Sequence, residues 1–244
     1  MSDANAHGTK TGRPDGGPLD AGPRMIAIVG PYGSGKTTLL ESLLHMTGAT
    51  TRKGSLTAGN TVGDSSDEAR ARHMSTEPNA AVTTWLGDQY AFVDCPGSIE
   101  FLHDTLAVIA AADAAVVVAE PDPAKAQLLQ PFLKALDDAG VPHLVFVNKI
   151  DKAQGHIRDL LADLQPMSAT PLVLRQVPIR ENGIVTGYVD LALERAHVYR
   201  EHAPSEVIEM PAGVADRERE ARFQMLEKLA DYDDHLMEEL LSDI

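Results

Sequence analysis

The stretch MIAIVGPYGSGKTTLLESLLHM, Met25 to Met46, decides the fold. It opens on an unbroken apolar β-type run, Met25 to Gly30, and closes on Leu39, Leu40, Leu43, Leu44 and Met46 at helical spacing. Between them, Gly30-Pro31-Tyr32-Gly33-Ser34-Gly35-Lys36-Thr37 fits the pattern GxxxxGK[ST], in the strand-to-helix context that the pattern requires. Glycines let backbone N–H groups turn toward a polyphosphate, and the helix N-terminus adds partial positive charge. Lys36 is placed to reach the β- and γ-phosphates and the Thr37 hydroxyl to bind Mg²⁺, and the nucleotide-binding stretch runs from Gly30 through Thr38.

Two further motifs follow in order. Asp94-Cys95-Pro96-Gly97 ends a third β-run, where an acid beside the phosphate loop holds Mg²⁺ through water. Gly97 allows its N–H to approach a γ-phosphate without steric cost. Asn148-Lys149-Ile150-Asp151 follows the strand His143 to Val147. A carboxylate at Asp151 accepts from N1–H and the 2-amino group of guanine; adenine has no such donor pair and is rejected. Asn148 braces the loop and the Lys149 stem covers the base. GTP and GDP are therefore favoured over ATP.

Working outward, the antiparallel pair Ala81 to Leu86 and Gln89 to Val93 is expected about the turn Leu86-Gly87-Asp88. A helix from Ile99 leads to the strand Ala114 to Ala119, and a helix Pro123 to Ala139 ends at Gly140. Apolar strands alternating with helices predict an α/β fold, a mostly parallel sheet with helices on both faces. The polar segment Thr47 to Asn79 is expected to be a long functional loop. A short helix (Gly155 to Leu164) precedes extended segments Leu172 to Ile179 and Gly183 to Val189, joined at Glu181-Asn182-Gly183. A single helix is expected over Ala215 to Ser242, with Phe223, Leu226, Leu229, Leu236 and Leu240 as its apolar positions. The organisation that results is a disordered tail (1–24), a core (25–166) and a small α+β insertion (167–244).

Composition narrows the function. With 36 acidic against 21 basic side chains the formal net charge is -15, which disfavours direct nucleic-acid binding by this chain. No apolar run is long enough to cross a membrane, and the single cysteine, Cys95, fits a reducing, cytoplasmic setting with a structural role for that thiol. The nine histidines show no zinc-binding spacing.

The three motifs, in this order, resemble the G domain of translational GTPases, most closely the elongation factor G family. The resemblance covers Arg24 to Ile244. Thr47-Gly48, the Asp64 to Thr76 stretch with Arg70 and Arg72, and Ala80 to Thr84 fall in register. So do Pro178-Ile179, Gly187 to Asp190 and Leu229 to Asp234, which match the insertion called G′. The resemblance implies GTP·Mg²⁺ binding, the ribosome as partner through downstream domains, a monomer, and hydrolysis driving translocation or recycling.

Departures qualify it. Ser75 stands by register where the family has a Mg²⁺-binding Thr, so the implied metal set is Thr37, Ser75 and Asp94, with Thr76 as fallback. Ser98 stands where the family has the His that positions the attacking water; His73 and His103 are poor substitutes. The implied catalytic groups are Lys36, Gly97 and, in place of that His, Ser98. Gly33 replaces a common Asp. Ser168-Ala169 precedes the insertion and is not the guanine-contacting Ser-Ala of the family. That motif and the last strand and helix of the G domain are missing, so a fragment is expected. Alternatives are a switch that binds GTP without hydrolysing it, a ribosomal protection domain of the tetracycline-resistance type, and a non-functional truncation product.

Overall fold

The computed structural model describes residues 24–64, 66–153, 157–200 and 203–242. The expectation for the N-terminal tail therefore lies outside the described residues, except that Arg24 already belongs to the first strand, opposite Tyr90. The helix start placed at Gly155 also lies outside them.

Strands β1 (Arg24–Val29), β2 (Asn79–Trp85), β3 (Asp88–Asp94), β4 (Ala114–Ala119) and β5 (His143–Val147) form one sheet in the order β2-β3-β1-β4-β5. β1 pairs in parallel with β3 and β4, β5 in parallel with β4, and only β2 runs antiparallel, against β3. Alternate residues of β1 serve opposite layers. Ile28 packs with Leu40 and Leu44 of α1 (Lys36–Met46), whereas Ala27 and Val29 face Ile109 of α3 (Leu102–Ala111) and Leu133 and Leu136 of α5 (Gln130–Ala139). Burial on both sides explains why β1 and β4 read as continuous apolar runs rather than alternating ones. β5 lies at the sheet edge, with Leu144 and Phe146 exposed.

Three elements differ from the sequence expectation for local reasons. The polar loop contains a short helix, α2 (Asp67–Arg72), capped by Ser66, whose Oγ accepts from Ala69 N at 3.2 Å. Asp67 and Glu68 in its first turn and Arg70 and Arg72 in its last complement the helix dipole. The helix expected over Pro123 to Ala139 is divided into α4 (Pro123–Ala126), a tight turn at Gln127–Leu129, and α5. Pro131 has no N–H to donate, and its ring would strike the carbonyl four residues earlier. The C-terminal helix is also two: α7 (Ala212–Ala230) and α8 (Asp234–Ser242). The Asp233 carboxylate accepts from the N–H groups of His235 and Leu236 at 3.0 and 3.2 Å and starts the second.

After α6 (Ile157–Leu164), a second sheet holds β6 (Gln176–Glu181), β7 (Ile184–Asp190), β8 (Arg195–Arg200) and β9 (Ala203–Ile208), all antiparallel in chain order. The β6–β7 hairpin was legible; β8 and β9 were not, because half-exposed strands with Arg, His and Glu interleaved carry little apolar signal. α7 covers this sheet with Val214, Ala221 and Met225, while Phe223 and Leu229 from the expected apolar stripe are exposed. Among the described residues no helix is long and apolar enough to cross a membrane.

Candidate functional site

The parallel topology brings the three motifs to the C-terminal ends of β1, β3 and β5, where α/β sheets place ligands. The loop after β1 needs its glycines. Gly30, Gly33 and Gly35 have φ of 139°, 75° and 100°, and a side chain at Gly30 would strike the Val118 carbonyl. Gly35 caps α1 without a side-chain hydrogen bond, so the first-turn amides of the helix keep no internal partner and face the loop. Ser34 is buried with its Oγ unpartnered.

Lys36 is almost fully buried, and its Nζ donates to the Pro31 carbonyl at 3.0 Å, arching back over the loop. Burial pulls its pKa below the usual lysine value, opposed by the nearby charges of Asp94 and Asp64. Gly97 closes the cradle from the β3 side. A side chain there would collide with Lys36 Nζ and come within 2.6 Å of both Pro31 C and Tyr32 N. Tyr32 itself is exposed, as is Thr38.

Thr37, Ser75 and Asp94 meet at one point. Thr37 Oγ1 donates to Asp94 Oδ2 at 2.6 Å and lies 3.4 Å from Ser75 Oγ. Ser75, and not Thr76, is thus the loop hydroxyl that reaches α1. Burial pushes the Asp94 carboxyl up to about 6, opposed by the Thr37 hydrogen bond and by Lys36. Asp94 Oδ1 is buried and has no hydrogen-bond partner. The same is true of Oδ1 of Asp64, which is buried nearby and adds repulsion at Asp94. Sequence reasoning assigned Asp64 no role; its burial was the missing signal. Two orphaned carboxylate oxygens beside two hydroxyls are a hard-oxygen set that suits Mg²⁺ better than a thiophilic metal. Among the described residues, no three or more His, Cys, Asp or Glu side chains are grouped to hold a metal by themselves.

The third motif is joined directly to the first. Asn148 Nδ2 donates to the Ser34 carbonyl at 2.8 Å across 114 residues, and Gly35 is the residue whose missing side chain admits it. Lys149, with φ of 55°, donates from Nζ to the Gly33 carbonyl at 2.6 Å and pairs with Glu120 at 3.1 Å. Glu120 also pairs with Lys125 at 2.9 Å; the two lysines outweigh its partial burial and hold its carboxyl below the usual range. Asp151 is exposed, two residues after Lys149.

The remaining sequence candidates fall outside this cluster. Ser98 Oγ donates to Glu100 Oε1 at 3.1 Å, and His73 and His103 are exposed. Cys95 is fully buried, donates its N–H to the Ile28 carbonyl, and has its thiol pushed up to about 12 by burial. It is a packed neutral group.

Residues 22–231 match the family described as the elongation factor Tu GTP-binding domain. The chain is 46% identical over 227 residues to an elongation factor G-like protein of Synechocystis sp., covering 93% of this chain and 34% of that protein. It is 29% identical over 227 residues to elongation factor G 1 of Geobacter sulfurreducens, covering 92% of this chain and 33% of that protein. A crystal structure of a Thermus thermophilus protein superimposes with a TM-score of 0.80 at 30% identity, over 91% of this chain and 33% of that one. The chain spans about a third of the length of the curated relatives it matches.

Proposed function

Because this chain belongs to the GTP-binding domain family of the translational GTPases, on the elongation-factor-G side of it, we propose that it is the nucleotide switch of an elongation-factor-G-like translation factor. It binds GTP and GDP with Mg²⁺, and hydrolysis serves a ribosomal step, translocation or recycling. The observation that carries the reading is the Asn148–Ser34 bond, which ties the base loop to the phosphate loop so that one ligand spans both. The test is equilibrium binding of labelled GDP, GTP and ATP with Mg²⁺ present. Tight binding of the guanine pair and at least about hundredfold weaker ATP binding is the expected result, and equal binding of GTP and ATP defeats it.

In this reading, backbone amides of residues 30–38 cradle the phosphates, Lys36 neutralises charge that builds on the β–γ bridge, and the Gly97 N–H donates to the γ-phosphate. Thr37 and Ser75 hydroxyls and the Asp94 carboxylate would hold Mg²⁺, which would supply neutralisation of phosphate charge. Asp151 reads the guanine edge beneath Lys149. The open β5 edge, with Leu144 and Phe146 exposed, fits a core (24–166) that takes a further strand and covering helix, with residues 167–244 as the insertion.

A second reading, a switch that holds GTP with little hydrolysis, is favoured by Ser98. Its hydroxyl is short and already engaged with Glu100. A single-turnover assay with and without ribosomes separates the two readings. Ser98→His, placed in a chain carrying the full domain set of the relatives, is expected to raise ribosome-stimulated hydrolysis by about 100-fold or more, the scale of a positioned general base. No change would remove Ser98 from that role.

The pH dependence follows from Asp94. Its pKa is raised from 3.8 to about 6, so without an ion the folded state holds that proton more tightly than the unfolded chain does. The contribution of Asp94 to stability therefore declines as pH rises between those two values. Ion binding has the opposite sign because it needs the carboxylate. The Mg²⁺ required for half-maximal nucleotide binding is expected to rise several-fold as pH falls from about 7.5 to about 5.5, and Asp94→Asn should flatten that profile. Magnesium titrations at a series of pH values check it.

A further inference from the structure

The long polar loop is held to α1 by a residue that none of the three motifs contains. Glu41 lies one turn after Thr37 on α1, on the same face, and is 1% exposed. Its Oε2 accepts from Gly54 N at 3.0 Å and its Oε1 accepts from Val62 N at 2.5 Å. A buried carboxylate is costly unless its oxygens are satisfied, and two charge-assisted bonds to backbone amides satisfy it. Gly54 is the residue that permits the approach: a side-chain carbon there would strike Glu41 Oε2 and lie 2.9 Å from the Asn60 carbonyl.

Between the two pinned amides the chain closes on itself. Ser55 N donates to Asn60 Oδ1 at 2.8 Å, Asn60 N returns to the Ser55 carbonyl at 3.4 Å, and Gly59 N reaches the Leu56 carbonyl at 3.1 Å. Immediately after Val62 the chain reaches the metal-type cluster. A side-chain carbon at Gly63 would lie 3.0 Å from Thr37 Cγ2 and 3.3 Å from Asp94 Oδ2, and buried Asp64 follows. The later half of the loop is held differently. It carries the self-capped α2 and reaches α1 through the 3.4 Å approach of Ser75 to Thr37.

We propose that Glu41 is a positioning residue that clamps Gly54 and Val62 to α1 and thereby sets Gly63 and Asp64 beside Thr37 and Asp94. The role of the clamp in Mg²⁺ and nucleotide binding rests on the function proposed above; the clamp itself does not.

The test uses Glu41→Gln, which keeps the shape but turns one acceptor into a donor, and Gly54→Ala, which breaks the same contact from the loop side and leaves α1 untouched. Amide exchange is measured without nucleotide, with GDP and with a non-hydrolysable GTP analogue. In the unsubstituted protein, the Gly54 and Val62 amides should be protected together in whichever of these states holds the clamp closed, the GTP-analogue state included. Each variant should speed their exchange by about tenfold or more, the equivalent of one lost buried hydrogen bond. Each should also raise the Mg²⁺ needed for half-maximal nucleotide retention by about tenfold, as loss of an outer-shell partner does, and the double variant should add little. The proposal is overturned if those two amides exchange no faster in the variants than in the unsubstituted protein. It is also overturned if the variants leave the magnesium requirement within about twofold, or if their effects simply add. Should the unsubstituted protein bind no guanine nucleotide, the proposed function falls, and the exchange rates measured without nucleotide still decide whether Glu41 holds the two amides.

Discussion

Replacing Asp151 with asparagine is expected to weaken GDP and GTP binding by about 100- to 1,000-fold while leaving the fold intact. In the proposed function the carboxylate is the group that offers guanine two acceptors, for the adjacent N1–H and 2-amino donors. The amide offers one acceptor and one N–H group, so a buried donor is left facing a donor. Loss of a charge-assisted pair together with an unpaired donor costs about 3–4 kcal/mol, which is the fold-change stated. Asp151 is exposed, so its replacement removes little that holds the protein together. Xanthine nucleotides, which carry a carbonyl where guanine carries the amino group, should be the ones that recover affinity. Competition binding with GDP, xanthosine diphosphate and ADP reads out all three. Undiminished GDP binding by Asp151→Asn would remove residue 151 from base recognition.

Lys36→Met should have an effect of similar size, felt through the phosphates. The substitution keeps the length of the stem and removes the charge. Lys36 is nearly fully buried, and its amine arches to the Pro31 carbonyl, where the phosphate loop must otherwise meet anionic oxygens with amides alone. In a water-poor site a single cation acting on a polyphosphate contributes several kcal/mol, so affinity is expected to fall by about 100- to 1,000-fold, more for GTP than for GDP. Stability should change little. The buried ammonium is already disfavoured by desolvation, and a methionine in its place relieves that cost while Asp94 and Asp64 lose an attractive neighbour. Calorimetric binding and thermal unfolding of the same variant separate the two quantities. A methionine variant that binds GTP as before would defeat the phosphate-loop reading.

The elements that were legible in the sequence are those whose causes are local. The strand, turn and helix of residues 25–46 follow from an apolar run, three glycines with positive φ and a helical period, all within one short stretch. The β2–β3 and β6–β7 hairpins follow from turn chemistry at Leu86-Gly87 and Asn182-Gly183, all at positive φ. Elements with weak apolar contrast were lost, among them α2, β8 and β9. Errors of extent came from treating an apolar tally as a continuous helix across Pro131 and across the Asp233 cap.

The residue types and the order of the three loops are legible along the chain, because each motif packs its required residue types into a few adjacent positions. Which distant groups meet, and which lose water, emerges only once the chain is folded. Asn148 meets Ser34, Ser75 meets Thr37, Glu41 gathers Gly54 and Val62, and Asp64 and Asp94 are left with orphaned oxygens. The physical reason is that desolvation and long-range pairing depend on strand order and on what covers a residue, and neither quantity is carried by the neighbours of that residue along the chain.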